Sequence, residues 1–115
     1  MRILKPVIFI SFFLSILVTD SFSQSKPRRV VKYPGSAYCK EIYTLQHGVK
    51  NGAYTYFYAN RKQAEGSYLN GEKEGKWTYY NSEGEVSITG QFHSGLKTGT
   101  WLYYSNTKLV SKIVY

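Results

Sequence analysis

The stretch "GEKEGKWTYY", Gly71 to Tyr80, returns as "GLKTGTWLYY", Gly95 to Tyr104, and a weaker copy, "GVKNGAYTYF", runs from Gly48 to Phe57. The leading glycines Gly48, Gly71 and Gly95 stand 23 and 24 residues apart, and the second glycines Gly52, Gly75 and Gly99 keep the same steps. Tyr54, Trp77 and Trp101 follow in register, then Tyr56, Tyr79 and Tyr103, then Phe57, Tyr80 and Tyr104. A fixed period of this length marks a repeat architecture in which each copy is one supersecondary unit.

Each copy reads as a β-hairpin. "KWTYY" is aromatic and β-branched, the composition of a half-buried strand. "NSEG" supplies turn residues, with Gly84 free to take a positive φ. "EVSITGQF" then alternates, with Val86, Ile88, Gly90 and Phe92 on one side and Ser87, Thr89 and Gln91 on the other. In the first copy Asn60 stands where Gly84 would fall, and Asn is the next residue to tolerate a left-handed backbone. The fold class expected is all-β, with tandem hairpins joined into a single elongated antiparallel sheet.

The paired glycines of each G-x-K-x-G are expected at the two corners of the loop between hairpins, where a β-carbon would clash. Gly66 and Gly90 differ, because they fall inside strands. A glycine there leaves room for a neighbour's bulk, and the rings of Trp77, Trp101 or their tyrosine neighbours are expected to lie across them. Counting backwards, Leu45 falls at the position of Tyr68 and Phe92. "AYCKEIYTL" then reads as a preceding strand with Cys39 on its packed face.

The pattern from Gly71 to Phe92, G-x-x-x-G-x-W-x-Y-Y-x-x-x-G-x-V-x-x-x-G-x-F, resembles the bacterial variant of the MORN repeat. The resemblance covers roughly residues 43 to 115. Proteins with this variant include antitoxins of a toxin–antitoxin family and exported proteins without an assigned role. The resemblance implies a run of hairpins in one sheet, the fold already read from the residues, and an antitoxin-like role. Two departures, Tyr54 in place of Trp and a last unit "SNTKLVSKIVY" lacking a turn glycine, suit the atypical end units that cap a solenoid.

The N-terminus reads as a signal peptide over residues 1–23. Arg2 and Lys5 precede an uncharged apolar run, Val7 to Val18, and small Ser21 and Ser23 follow. That run spans about 18 Å as a helix, short of the roughly 30 Å a membrane crossing needs. Export to the periplasm, the outer-membrane surface or the medium is therefore expected. Residues 24–36 form a basic arm, expected to be flexible, and 37–115 form the three-unit repeat domain. Lys26, Arg28, Arg29, Lys32 and Lys40 crowd residues 24–40 without an acid, in a chain of formal charge +8. A lone cysteine in an exported chain means no disulfide framework, so packing must hold the fold.

Catalysis is not expected. The single aspartate, Asp20, lies in the signal peptide, and His47 and His93 fall at non-equivalent turn positions. No His or Cys cluster has metal-ligand spacing, and no cofactor is implied. Glu72, Glu74, Glu83 and Glu85 read as solvated turn charges. Binding is better supported. Lys50, Lys73 and Lys97 sit mid-loop, and with strands ~4.8 Å apart they would line one edge at roughly 10 Å intervals. Phe57, Tyr80 and Tyr104 point away from the Tyr56, Tyr79 and Tyr103 ladder, and a one-layer sheet cannot cover both faces. The expected function is an exported, non-catalytic repeat module that binds a protein partner through an aromatic face. An antitoxin-like neutralising role is an alternative. So is binding of anionic lipid or glycan through the basic arm and loop lysines. Nucleic acid is not expected, and free sheet edges leave edge-to-edge self-association open.

Overall fold

The computed structural model describes Arg2 and residues 26–115, so the signal-peptide reading lies almost wholly outside the described residues. Residues 26–115 form one open, eight-stranded antiparallel sheet in which every strand pairs with its neighbours in sequence. The strands are β1 (Arg28–Lys32), β2 (Cys39–Gln46), β3 (Val49–Tyr58), β4 (Arg61–Leu69), β5 (Glu72–Tyr80), β6 (Val86–His93), β7 (Leu96–Ser105) and β8 (Lys108–Val114). The all-β hairpin architecture is thus as the repeat implies. Residues 28–32 depart from the expected flexible arm: they pair with β2 from Arg28↔Leu45 to Lys32↔Glu41. Val30 and Val31 carry the β-propensity that the surrounding cations obscured.

Tight turns set the register. His47–Gly48, Ala59–Asn60, Asn70–Gly71, Ser94–Gly95 and Asn106–Thr107 all have positive φ at both residues, as a type I′ hairpin turn requires. Gly84 also takes a positive φ of 83°, in the five-residue connection between β5 and β6. The turns at Gly71 and Gly95 are tied to the unit before them. The Gly71 N–H donates to the Lys50 carbonyl at 2.8 Å, and the Gly95 N–H to that of Lys73 at 3.0 Å.

The second glycine of each copy is not a loop corner. Gly52, Gly75 and Gly99 lie inside β3, β5 and β7 with φ of 102°, 73° and 67°. Pairing jumps there from Glu65↔Thr78 to Ser67↔Glu74, and from Thr89↔Leu102 to Gln91↔Thr98. One residue, Gly66 or Gly90, therefore opposes three on the next strand. Such a bulge bends the strand and increases its twist, and the left-handed residue it needs is the second glycine. A second series of shifts falls near Gln63, Ser87 and Val110. It overturns one expectation: Val86 pairs with Tyr80, whereas Ile88 pairs with Tyr79, so Val86 leaves the side of Ile88, Gly90 and Phe92.

The core is a spine of rings along one face. Trp77 and Trp101 are only 1% and 2% exposed, and with Phe92 they form a cluster flanked by Tyr54, Tyr68, Tyr79, Ile88 and Tyr103. Strands two apart should hold their side chains about 10 Å from each other, yet the Tyr54 and Trp77 rings sit 5.4 Å apart. The strand between them contributes Gly66. A β-carbon on Gly66 would lie 2.3 Å from the Trp77 ring, and one on Gly90 2.1 Å from that of Trp101. The expected lodging of the tryptophans over the strand glycines is met. Each indole N–H also donates to the carbonyl one residue beyond its glycine, Ser67 at 3.1 Å and Gln91 at 3.2 Å. Phe92 bridges the two units edge-on, 6.0 Å from Trp77 and 5.1 Å from Trp101. A buried ring of this size removes about 150–250 Å² from water, which gives a single-layer sheet a core.

Candidate functional site

The lysines expected to form an exposed anionic-ligand row do not lie at loop tips. Lys50, Lys73 and Lys97 are strand residues opposite Leu45, Tyr68 and Phe92. The Lys73 ammonium lies 4.5 Å from the Trp77 ring centre and 4.9 Å from that of Phe92, and donates to the Tyr79 hydroxyl at 3.2 Å. Lys97 lies 4.6 Å from Trp101 and 5.3 Å from Tyr115. Lys50 lies 4.6 Å from Tyr43 and 4.9 Å from Tyr54, with Glu41 at 3.8 Å. Each lysine lies on the spine's face through its pairing and reaches over the rings. Each ammonium gains cation–π attraction, worth ~0.5–1 kcal/mol at exposed sites and more when desolvated, while its stem covers apolar surface. These cations close the Trp face.

The N-terminal end of the spine is built differently. Counted from the residue opposite each lysine, the glycine position of Gly66 and Gly90 is Tyr43 in β2, and Tyr54 replaces Trp. Two medium rings stand in for one large ring over a bare backbone. The Tyr54 hydroxyl donates to Glu41 at 3.1 Å, and burial, then the Glu41 charge, push its ionisation well above the ordinary tyrosine range. Cys39 shares this face as the packed-face reading expects. It is half-buried, and its sulfur accepts from the Tyr56 hydroxyl at 3.4 Å.

The opposite face holds Phe57, Tyr80 and Tyr104, as strand alternation predicts. Its two ends differ. Toward β2 the row is charged: Lys40 lies 4.7 Å over Phe57, Lys62 lies 6.0 Å from Tyr80, and Lys62 pairs with Glu65 at 2.9 Å. The Tyr80 hydroxyl donates to Glu65. That bond, then burial, pushes the Tyr80 phenol up to about 12, and the same bond holds the Glu65 carboxyl below its usual range. A cavity of about 520 Å³ opens beside Tyr80, lined by Arg61, Lys62, Glu83 and Gly84. Toward β8 the row is apolar and uncovered, because Tyr80 pairs with exposed Val86 and Tyr104 with exposed Leu109. Sequence reading missed Val86 and Leu109. Both reach this face through bulges, which alternation does not signal.

Further along that face, two polar grooves flank Lys76. One of about 360 Å³ includes Thr55, Glu65, Ser67 and Thr78, and one of about 240 Å³ includes Thr89, Gln91 and Thr100. At the turns, Glu74 accepts from the Ser94 N–H at 2.8 Å and lies 2.9 Å from His93 Nδ1, and these contacts, the first foremost, lower its pKa. Asn51 does the equivalent for Asn70, whose N–H it accepts at 3.1 Å. Both side chains join a turn to the preceding unit. Among the described residues no group of three or more His, Cys, Asp or Glu is placed to hold a metal ion.

Compared with known proteins, the chain matches no family model, no curated protein and no solved structure.

Proposed function

We propose that this chain is an exported, non-catalytic repeat module that binds a protein partner through the sheet face of Tyr80, Val86, Tyr104 and Leu109. The inequality of the two faces carries this reading. One face closes its rings beneath Lys50, Lys73 and Lys97; the other leaves Val86 and Leu109 bare beside two tyrosines. Aromatic and aliphatic groups at the centre of a patch with a charged rim make the composition of a protein-docking surface, and here Lys40, Lys62 and Glu65 supply the rim. Export rests on the apolar segment Val7 to Val18. An antitoxin-like protein would use the same face to neutralise its toxin.

The test is a crosslinking capture from the envelope fraction with the protein and its Tyr104→Asp and Leu109→Asp variants. One stoichiometric protein captured by the parent and lost with both variants supports the reading; equal capture by all three contradicts it.

A second reading has its own observation. Lys26, just before β1, and Arg28, Arg29 and Lys32 along it are all exposed, a cationic edge suited to anionic lipid or glycan. Polyanion binding would weaken steeply with added salt, whereas docking on the apolar face would hold.

A further inference from the structure

The two edges of the sheet are defended differently. β1 carries three cations in five residues, Arg28, Arg29 and Lys32, and charge along an edge discourages further strand pairing. β8 carries two cations over seven residues, Lys108 and Lys112, and its end is apolar: Ile113, Val114 and the following Tyr115 are 42%, 69% and 54% exposed. An exposed apolar edge strand is a template for another strand.

The orientation of its backbone follows from one bond. The Tyr115 N–H donates inward to the Gly99 carbonyl at 2.9 Å, and Ile113 pairs with Trp101 and Val114 with Thr100. Antiparallel pairing alternates hydrogen-bonded and non-hydrogen-bonded positions. Ile113 therefore bonds inward to β7, while the N–H and C=O of Lys112 and Val114 point outward.

A second observation limits what can be added. Gly66 pairs with Tyr54 and Gly90 with Trp77, and each receives the tryptophan of the following strand. Ile113 holds the corresponding place opposite Trp101. Its side chain fills the space a further tryptophan would need, so another Trp-bearing unit cannot stack there as β5 and β7 do.

We propose that β8 is a homodimer edge: a second copy of this chain pairs antiparallel along residues 111–115, with the two-fold axis at Ile113. This register sets Lys112 against the partner copy's Val114, so the two outward-bonding residues meet. It keeps like-charged lysines from facing each other directly, sets Ile113 against its own counterpart, and brings Ser111 opposite Tyr115. The ring spine ending at Trp101 and Tyr115, 6.2 Å apart, then continues across the axis into the other copy. A two-fold interface is isologous and closes on itself, and the dimer presents a cationic β1 at both ends, which opposes further growth.

The test combines sedimentation of the purified protein with cysteine pairing in a Cys39→Ser background. At the centre of the proposed register, Ile113 of each copy forms a non-hydrogen-bonded pair, with Cα atoms about 4.5 Å apart, within disulfide reach. Ile113→Cys should give a covalent dimer on mild oxidation at least tenfold faster than Lys112→Cys, whose counterpart is a diagonal neighbour. Val114→Pro removes an outward N–H without touching the β7 ladder, and should leave a folded monomer by sedimentation and circular dichroism. Parent protein that stays monomeric across the concentration range would overturn the proposal. So would equal cross-linking at 112 and 113, or a dimer that persists in folded Val114→Pro.

Discussion

The indole of Trp101 occupies the place a side chain on Gly90 would take, for a β-carbon there would come within 2.1 Å of the ring. Gly66 and Trp77 repeat the relationship one unit earlier, at 2.3 Å. Because Gly90 is strand backbone with an ordinary φ, its absent side chain serves packing and not conformation.

Gly90→Ala should therefore destabilise the sheet by about 1–3 kcal/mol through overpacking, and denaturant unfolding will read it. In a Trp101→Leu background the same substitution should cost markedly less, because the clash is gone. Additive losses in this double-mutant cycle would mean that the glycine acts through its backbone instead.

Gly75→Ala should also destabilise, for the opposite reason. A methyl group at Gly75 would meet nothing within 4 Å, but the residue sits at φ 73° within β5. The left-handed conformation costs a side-chain-bearing residue roughly 1–2 kcal/mol. Gly75→Asn should recover part of that loss, whereas Gly90→Asn should be worse than Gly90→Ala. Thermal melts of the four variants separate strain from clash.

The two kinds of glycine explain how far the sequence could be read. Period, turn residues and the aromatic series at Tyr54, Trp77 and Trp101 disclosed the hairpins, the single sheet and the lodging of rings over Gly66 and Gly90. They could not disclose the bulges, because a left-handed glycine inside a strand looks in sequence like a left-handed glycine in a loop. On that account the sequence points to loop corners for Gly52, Gly75 and Gly99, and to the loops for Lys50, Lys73 and Lys97. The same blindness hid Val86 and Leu109, each carried across the sheet by a one-residue shift. The strand in the basic arm was hidden differently, since Val30 and Val31 are only two residues among cations.

Stability should decline in acid. Glu65 and Glu74 ionise more readily in the folded chain than an ordinary glutamate does, chiefly through the Tyr80 hydroxyl and the Ser94 N–H respectively. The stabilisation they add is complete above the unfolded carboxylate range and is lost as pH falls through their lowered folded values. Glu74→Gln should flatten the acid limb of the stability curve. In alkali the sign reverses for Tyr80, whose pKa is raised from 10.0 to about 12. Its contribution is whole below 10 and disappears as pH rises toward 12, so Tyr80→Phe should reduce the alkaline loss, followed by circular dichroism.

Trp77 and Trp101 are the only tryptophans in the chain, so acrylamide quenching of intrinsic fluorescence reads the lysine-capped spine directly. The folded protein should show blue-shifted emission and quench several-fold less than after unfolding, and Lys73→Ala should raise quenching by uncovering Trp77. Water-like emission with quenching equal to that of the unfolded chain would contradict a closed Trp face, and with it the contrast between the two faces.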